Sequence, residues 1–175
     1  MADRVSSRSL LSLLVCWLVG CGHADEWSGP LPAPDGAAFV REVYPLLLRD
    51  CAFSTCHGAA DRFLQLYGPG RARLDPIATK PDDPMTLPEV LHSYDRARSM
   101  LATANRIDDS LLLSKPLEPS AGGQGHEGVD DFGRNPFASS LDPSYVAIAQ
   151  WALSSGPPPS AADVAAANQA LEMTP

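Results

Sequence analysis

Several features on which common functions depend are missing from this sequence. Lysine occurs only at Lys80 and Lys115, and the formal net charge of the 175 residues is −8 at neutral pH. This acidic balance argues against nucleic acid as a partner, because phosphate binding needs concentrated positive charge. There is no nucleophile elbow, no phosphate-binding loop and no telling pair of carboxylates, so the sequence predicts that the protein is not an enzyme.

The sequence also lacks an apolar run long enough to span a bilayer. Its most apolar stretch, residues 10–19, follows Arg4 and Arg8 and has the length of a signal-peptide core. The stretch leads into the letters LVGCG, which have the form of a bacterial lipobox with Cys21 as the acylated residue. We therefore predict a lipoprotein signal peptide at residues 1–20 and lipidation of Cys21. The alternative is an ordinary secretory signal cut elsewhere.

Either form of signal predicts export. A lipid on Cys21 would anchor the chain in the cell envelope, facing the periplasm or the outer surface. Gly22 follows the cysteine in place of the aspartate that retains some lipoproteins at the inner membrane, which favours the outer membrane. Disulfides and haem c are both possible in such a compartment.

Cysteine is scarce, and its positions are informative. Of the four cysteines, Cys16 leaves with the signal and Cys21 carries the lipid, so Cys51 and Cys56 remain, with His57 directly after them. Two cysteines followed by histidine form the attachment motif for haem c, usually with two residues between the cysteines. Four residues separate them here. The motif predicts one covalent haem c, with thioethers at Cys51 and Cys56 and with His57 as the proximal iron ligand.

Composition divides the chain into four parts. After the signal, residues 21–36 are rich in glycine and proline and predict a flexible tether, and residues 37–156 are the candidate folded domain. Residues 157–175 form a Pro/Ala-rich tail, whose Ser160–Asp163 spacing predicts a helix. Because this helix offers little apolar face, we expect it to pack loosely.

Helical signals dominate the folded part. Apolar residues at helical spacing predict a first helix over residues 37–49, with a kink at Pro45. A capping box at Thr86 begins a second helix, and Asp142 begins a third that ends at Gly156. The only strand signal, at residues 63–67, is brief. The predicted fold class is mainly α, with three to four helices and long loops.

The connection over residues 58–84 contains no confident element. A loop of this length in a compact domain is usually functional or disordered. A haem group would supply an apolar plate around which this loop could pack.

Three segments resemble exported bacterial cytochrome c-like domains of the planctomycete and myxobacterial type. They are FVREVYPLLLRDCAFSTCHG at residues 39–58, SLLLSKPLEPSAGGQGHEG at residues 110–128, and YVAIAQWALSSG at residues 145–156. The four-residue spacer is similar to the C-x4-C-H sites of some multihaem cytochromes. The resemblance implies a small class I cytochrome c-like fold, and electron transfer with redox partner proteins of the periplasm or envelope.

The distal iron ligand has several candidates in the sequence. Met100 lies on the apolar stripe of the second helix and is more simply core, whereas Met85 precedes the helix cap and could reach a metal. His92 falls off that stripe and is interpreted as a solvated surface residue. Lys115 is the least favoured candidate for the distal ligand. His126 lies among glycines that permit close approach to a flat group. The resemblance selects His126, and two histidine ligands imply a lower potential than His and Met.

Two readings without haem stay open at this point. Cys51, Cys56, His57 and His126 have the donor atoms of a zinc site, although adjacent ligands suit one small ion poorly. A Cys51–Cys56 disulfide would instead give an envelope binding lipoprotein in which the bridge closes only a short loop.

Overall fold

The computed structural model describes residues 32–102, 104–126, 128 and 135–173. These residues form helices and irregular connections without a strand, apart from an isolated parallel bridge between Leu117 and Phe137. The mainly α prediction is confirmed. The predicted signal peptide, Cys21 and most of the predicted tether lie outside the described residues. Of the helices described, none has the length and apolar character required to cross a membrane.

The first predicted helix is continuous but changes its pitch. It begins as α1 (Gly36–Ala38), widens into a π-helical segment (Phe39–Val43) and continues as α2 (Tyr44–Asp50). The Tyr44 N–H bonds the Phe39 carbonyl, five residues back. This wide turn lies directly before Pro45, the residue that cannot donate a helical hydrogen bond. The irregularity expected at Pro45 is therefore a π turn upstream of it.

The other predicted helices begin at their predicted caps. Helix α3 (Leu87–Leu101) follows Thr86, whose backbone N–H donates to a Glu89 carboxylate oxygen at 3.1 Å. A short 3₁₀ turn precedes α4 (Leu111–Ser114), and α5 (Pro143–Ala152) follows Asp142, which accepts a bond from the Ser144 N–H at 2.9 Å. Local capping chemistry thus fixes where these helices start.

An aromatic cluster forms the centre of the core. The Phe39 ring packs edge-on against Tyr94 of α3, with centroids 5.3 Å apart, and lies 5.1 Å from Trp151 of α5. The polar atoms of both partners bond the chain entering α1: Tyr94 donates to the Pro34 carbonyl at 2.7 Å, and Trp151 to the Asp35 carbonyl at 3.0 Å. The three main helices therefore meet at the start of the domain.

The C-terminal helix α6 (Ala161–Glu172) contacts the core at a few positions. Val164 is buried against the core, and the Asn168 side chain exchanges two hydrogen bonds with the main chain of Met85, at 3.2 and 3.0 Å. Packing of the chain therefore continues past residue 156. Most of the helix is nevertheless exposed, since Val164 is the one buried residue of α6 and Leu171 is 61% exposed.

One buried ion pair organises the connection before α3. Arg73 binds Glu89 with Nε and Oε1 2.7 Å apart, and their side chains are 3% and 1% exposed. The guanidinium also donates to main-chain carbonyls of the loop, namely those of Lys80, Pro81, Asp83 and Pro84. Residues 63–67, predicted as a strand, form a bend followed by irregular chain. Protein side chains therefore order much of this loop.

Candidate functional site

Helix α2 delivers the first cysteine of the motif. The helix ends at Asp50, and the N–H groups of Cys51 and Ala52 both bond the Leu47 carbonyl at 3.0 Å. Ala52 is fully buried, whereas Cys51 is half-buried. The thiol of Cys51 is thus presented directly at the end of a rigid element.

The four-residue spacer folds into a compact turn. The Phe53 carbonyl accepts the N–H groups of both Cys56 and Gly58 at 2.9 Å, and the His57 N–H bonds the Cys51 carbonyl at 3.1 Å. These bonds bring the main chain of His57 back to that of Cys51. The longer spacer is therefore compatible with a close grouping of Cys51, Cys56 and His57.

Gly58 is required by this turn. A Cβ at this position would lie 2.7 Å from the Ala52 carbonyl oxygen and 3.0 Å from that of Phe53. Both neighbours are main-chain atoms, which cannot move aside as a flexible side chain can. The glycine after the histidine is therefore a steric condition for the fold of the motif.

Both motif cysteines are free thiols, each half-buried. Burial, assisted by the negative charge of Asp50, raises the pKa of Cys51 to about 12. The free thiol is therefore protonated at neutral pH. No group of three or more His, Cys, Asp or Glu side chains within the described ranges is arranged to hold an ion.

The chain that follows the motif orients His57. Its Nδ1–H donates to the Leu64 carbonyl at 2.9 Å, and its own carbonyl accepts the Leu66 N–H at 2.8 Å. Burial lowers the pKa of His57, and the nearby His126 and Arg62 lower it further against the opposing bond to Leu64. The ring is therefore neutral, with Nε2 left as the nitrogen that can bind a metal.

The structure brings His126 next to His57. Their ring centroids are 5.8 Å apart and their planes differ by 50°. His126 Nδ1–H donates to the Gly128 carbonyl at 2.8 Å, so its Nε2 is likewise the nitrogen that remains. Gly122 and Gly125 have φ values of 97° and 80°, a left-handed backbone that glycine adopts without strain. These glycines let the loop approach His57.

The two imidazoles lie close together, with ring centroids 5.8 Å apart. In both rings a main-chain carbonyl binds Nδ1, which is the usual way in which proteins orient ligand histidines. His57 and His126 therefore each have Nε2 as the nitrogen that could hold a metal, and the two motif cysteines are free thiols.

The other ligand candidates have different environments. Met85 is buried in the core, and Met100 is partly buried against the core. Lys115 is exposed. The interpretation of His92 as a solvated residue is wrong: its ring lies 5.0 Å from that of Tyr67, and its Nε2 is buried without a partner among the described residues. Tyr67 lies in the irregular loop, so the apolar pattern of α3 could not show that its ring packs against His92.

Sequence reasoning missed the groups that orient the motif. The carbonyls of Phe53 and Leu64 act through the main chain and leave no sequence signal. Arg71 contacts the spacer through its side chain, but nothing in its local sequence separates it from an exposed loop arginine.

Comparison with known proteins finds no match for the chain among protein-family models, curated proteins or solved structures. The functional interpretation therefore rests on the motif and on the geometry described above.

Proposed function

We propose that this protein carries one covalent haem c and transfers electrons in the cell envelope. The observation that supports this most strongly is the pairing of His57 with His126, whose ring centroids are 5.8 Å apart. The attachment motif predicts His57 as a ligand from local sequence alone. His126 lies 69 positions later in the numbering, so its arrival beside His57 is independent support.

Each residue of the site has a role in this proposal. Cys51 and Cys56 would bond the porphyrin through thioethers, and His57 and His126 would hold the iron as its proximal and distal ligands. The bound haem supplies a one-electron redox centre. The carbonyls of Leu64 and Gly128 orient the two rings, and burial keeps His57 neutral and able to bind metal. Two imidazole ligands place the potential below that of a His/Met centre.

The resemblance to exported cytochrome c-like domains supports the same function. The mainly α fold agrees with what that resemblance implies. The predicted signal and the predicted lipid at Cys21 would anchor the domain in the envelope, with the outer membrane favoured. The acidic surface suits a redox partner with a basic docking face.

The readings without haem receive less support from the site. Within the described residues, Cys51 and Cys56 form no disulfide and the four zinc-type donors do not form an ion-binding cluster. A haem needs no such convergence, because its cysteines bond carbon and not metal.

Mass spectrometry of protein produced with a haem c maturation system tests the proposal. We expect the full chain to gain the mass of one haem that resists acid-acetone extraction, and we expect Cys51→Ala/Cys56→Ala to gain none. His57→Ala should lose the low-spin spectrum, whereas the matched His92→Ala control should keep it. An unmodified mass with a Cys51–Cys56 disulfide, or bound zinc in place of haem, would contradict the proposal.

A further inference from the structure

The Arg71 side chain reaches back from the irregular loop to the end of α2. Its Nε donates to the Leu48 carbonyl at 2.7 Å, and one Nη donates to the Arg49 carbonyl at 3.4 Å. These carbonyls belong to the last turn of the helix, where no intrahelical partner is available. Arg71 therefore caps the helix that delivers Cys51.

The same guanidinium also contacts the spacer. Its Cζ lies 4.4 Å from the centroid of the Phe53 ring, in a cation–π arrangement. The Phe53 carbonyl is the acceptor for the N–H groups of Cys56 and Gly58. One side chain therefore binds the helix end before Cys51 and packs on the residue that organises the turn after it.

A tight turn fixes the position of Arg71. The Arg71 N–H bonds the Gly68 carbonyl at 3.1 Å, and the Gly68 N–H bonds the Ala72 carbonyl at 3.0 Å. A Cβ on Gly68 would lie 2.6 Å from the Tyr44 hydroxyl, so this turn packs directly on α2. The Tyr44 hydroxyl in turn donates to the Tyr67 carbonyl. The approach of Arg71 is thus built into the packing of the loop.

We propose that Arg71 is a positioning residue for haem attachment, which holds the four-residue spacer in the conformation that lets both thiols react with one porphyrin. A spacer two residues longer than usual has more conformations to restrict, and Arg71 restricts it from both ends. In each attachment the thiol adds across a vinyl double bond: sulfur bonds one carbon, the thiol hydrogen goes to the other, and no oxidant or reductant is consumed. This inference rests on the proposed haem function, but its geometric part can be tested without haem.

The first test measures cysteine alkylation in the haem-free full chain. Iodoacetamide is applied in pulses, and peptide mapping follows Cys51 and Cys56 separately. We expect Arg71→Ala to accelerate alkylation of Cys51 about fivefold, the effect of losing one hydrogen bond on a local equilibrium. Arg96→Ala is the matched control, because Arg96 makes a similar contact with Phe63, at 5.3 Å, outside the spacer. It should leave the rate unchanged.

The second test measures attachment after maturation with haem. Alkylation followed by peptide mapping counts the cysteines that failed to form a thioether. Arg71→Ala should raise the single-attachment fraction about fivefold over wild type. Arg71→Lys should be intermediate, because lysine can donate to a carbonyl but lacks the planar stacking group. Arg96→Ala should match wild type.

Equal behaviour of Arg71→Ala and Arg96→Ala in both tests would overturn the inference. If far-ultraviolet circular dichroism shows Arg71→Ala to be unfolded, Phe53→Leu is compared with Phe63→Leu by the same criteria, and equality there overturns it. If wild type accepts no haem, the proposed function fails, while the alkylation test still decides whether Arg71 holds the spacer.

Discussion

Replacing Arg73 with alanine should be among the most destabilising single changes in this domain. Arg73 and Glu89 form an ion pair with 3% and 1% of their side chains exposed. Removing the arginine leaves a buried carboxylate unpaired and takes a donor from loop carbonyls. Breaking a buried pair from one side costs about 3–5 kcal/mol. For a chain of this size that lowers the midpoint of thermal unfolding by about 6–20 °C.

The assay is thermal and urea unfolding followed by far-ultraviolet circular dichroism. Arg106→Ala is the control, because Arg106 pairs with Asp108 and Asp109 while its side chain is 75% exposed. Exposed pairs contribute at most about 1 kcal/mol, so this variant should unfold close to wild type. If Arg73→Ala also costs less than about 1 kcal/mol, the buried pair does not organise the loop, and the reasoning is refuted.

The same pair predicts how stability depends on pH. Burial acts to raise the pKa of Glu89, but its bonds to Arg73 and Thr86 outweigh burial and leave that pKa below its usual value. A lowered pKa in the folded state gives stability that is complete above the unfolded pKa and is lost as pH falls through the folded value. Wild type should therefore lose more stability than Arg73→Ala as the pH falls below about 4.

Three further changes test other parts of the structure. Cys21→Ala should move the protein from the membrane fraction to the soluble fraction, and retention in the membrane would contradict the lipid anchor. Asn168→Ala should lower the free energy of unfolding in urea by about 1–3 kcal/mol, because it removes both hydrogen bonds to the Met85 main chain. The control is Gln169→Ala at the exposed neighbouring position, which should leave that free energy unchanged; equal values for the two variants would contradict the packing of α6. Gly58→Ala should lower the thermal midpoint, because its Cβ would lie 2.7 Å from the Ala52 carbonyl, and an unchanged midpoint would show that the turn can relax.

The helix starts could be predicted because their signals are local. The capping box at Thr86 and the cap at Asp142 each involve a few adjacent residues, and the structure places helices directly after both. The signal at Pro45 is also local, but it does not determine the form of the irregularity. Both a kink and an upstream π turn accommodate the missing amide hydrogen bond, and the choice between them depends on tertiary packing.

Long-range side-chain partners could not be predicted. Arg73 and Arg71 occupy similar sequence surroundings, yet one is buried on Glu89 and the other caps α2. The environment of His92 could not be predicted for the same reason, because Tyr67 of the irregular loop lies against its ring. Glycine spacing and resemblance indicate His126 as a candidate ligand, whereas its approach to His57 is a property of the fold.

Carbon monoxide binding by the reduced, haem-loaded protein tests the central claim most directly. If His57 and His126 both bind the iron, wild type and His92→Ala should be six-coordinate and bind carbon monoxide poorly, whereas His126→Ala should bind it readily. The oxidised wild type should also lack the weak long-wavelength charge-transfer band of methionine ligation. Ready binding after replacement of Met85 or Met100, with none after replacement of His126, would contradict the account and identify a His/Met centre.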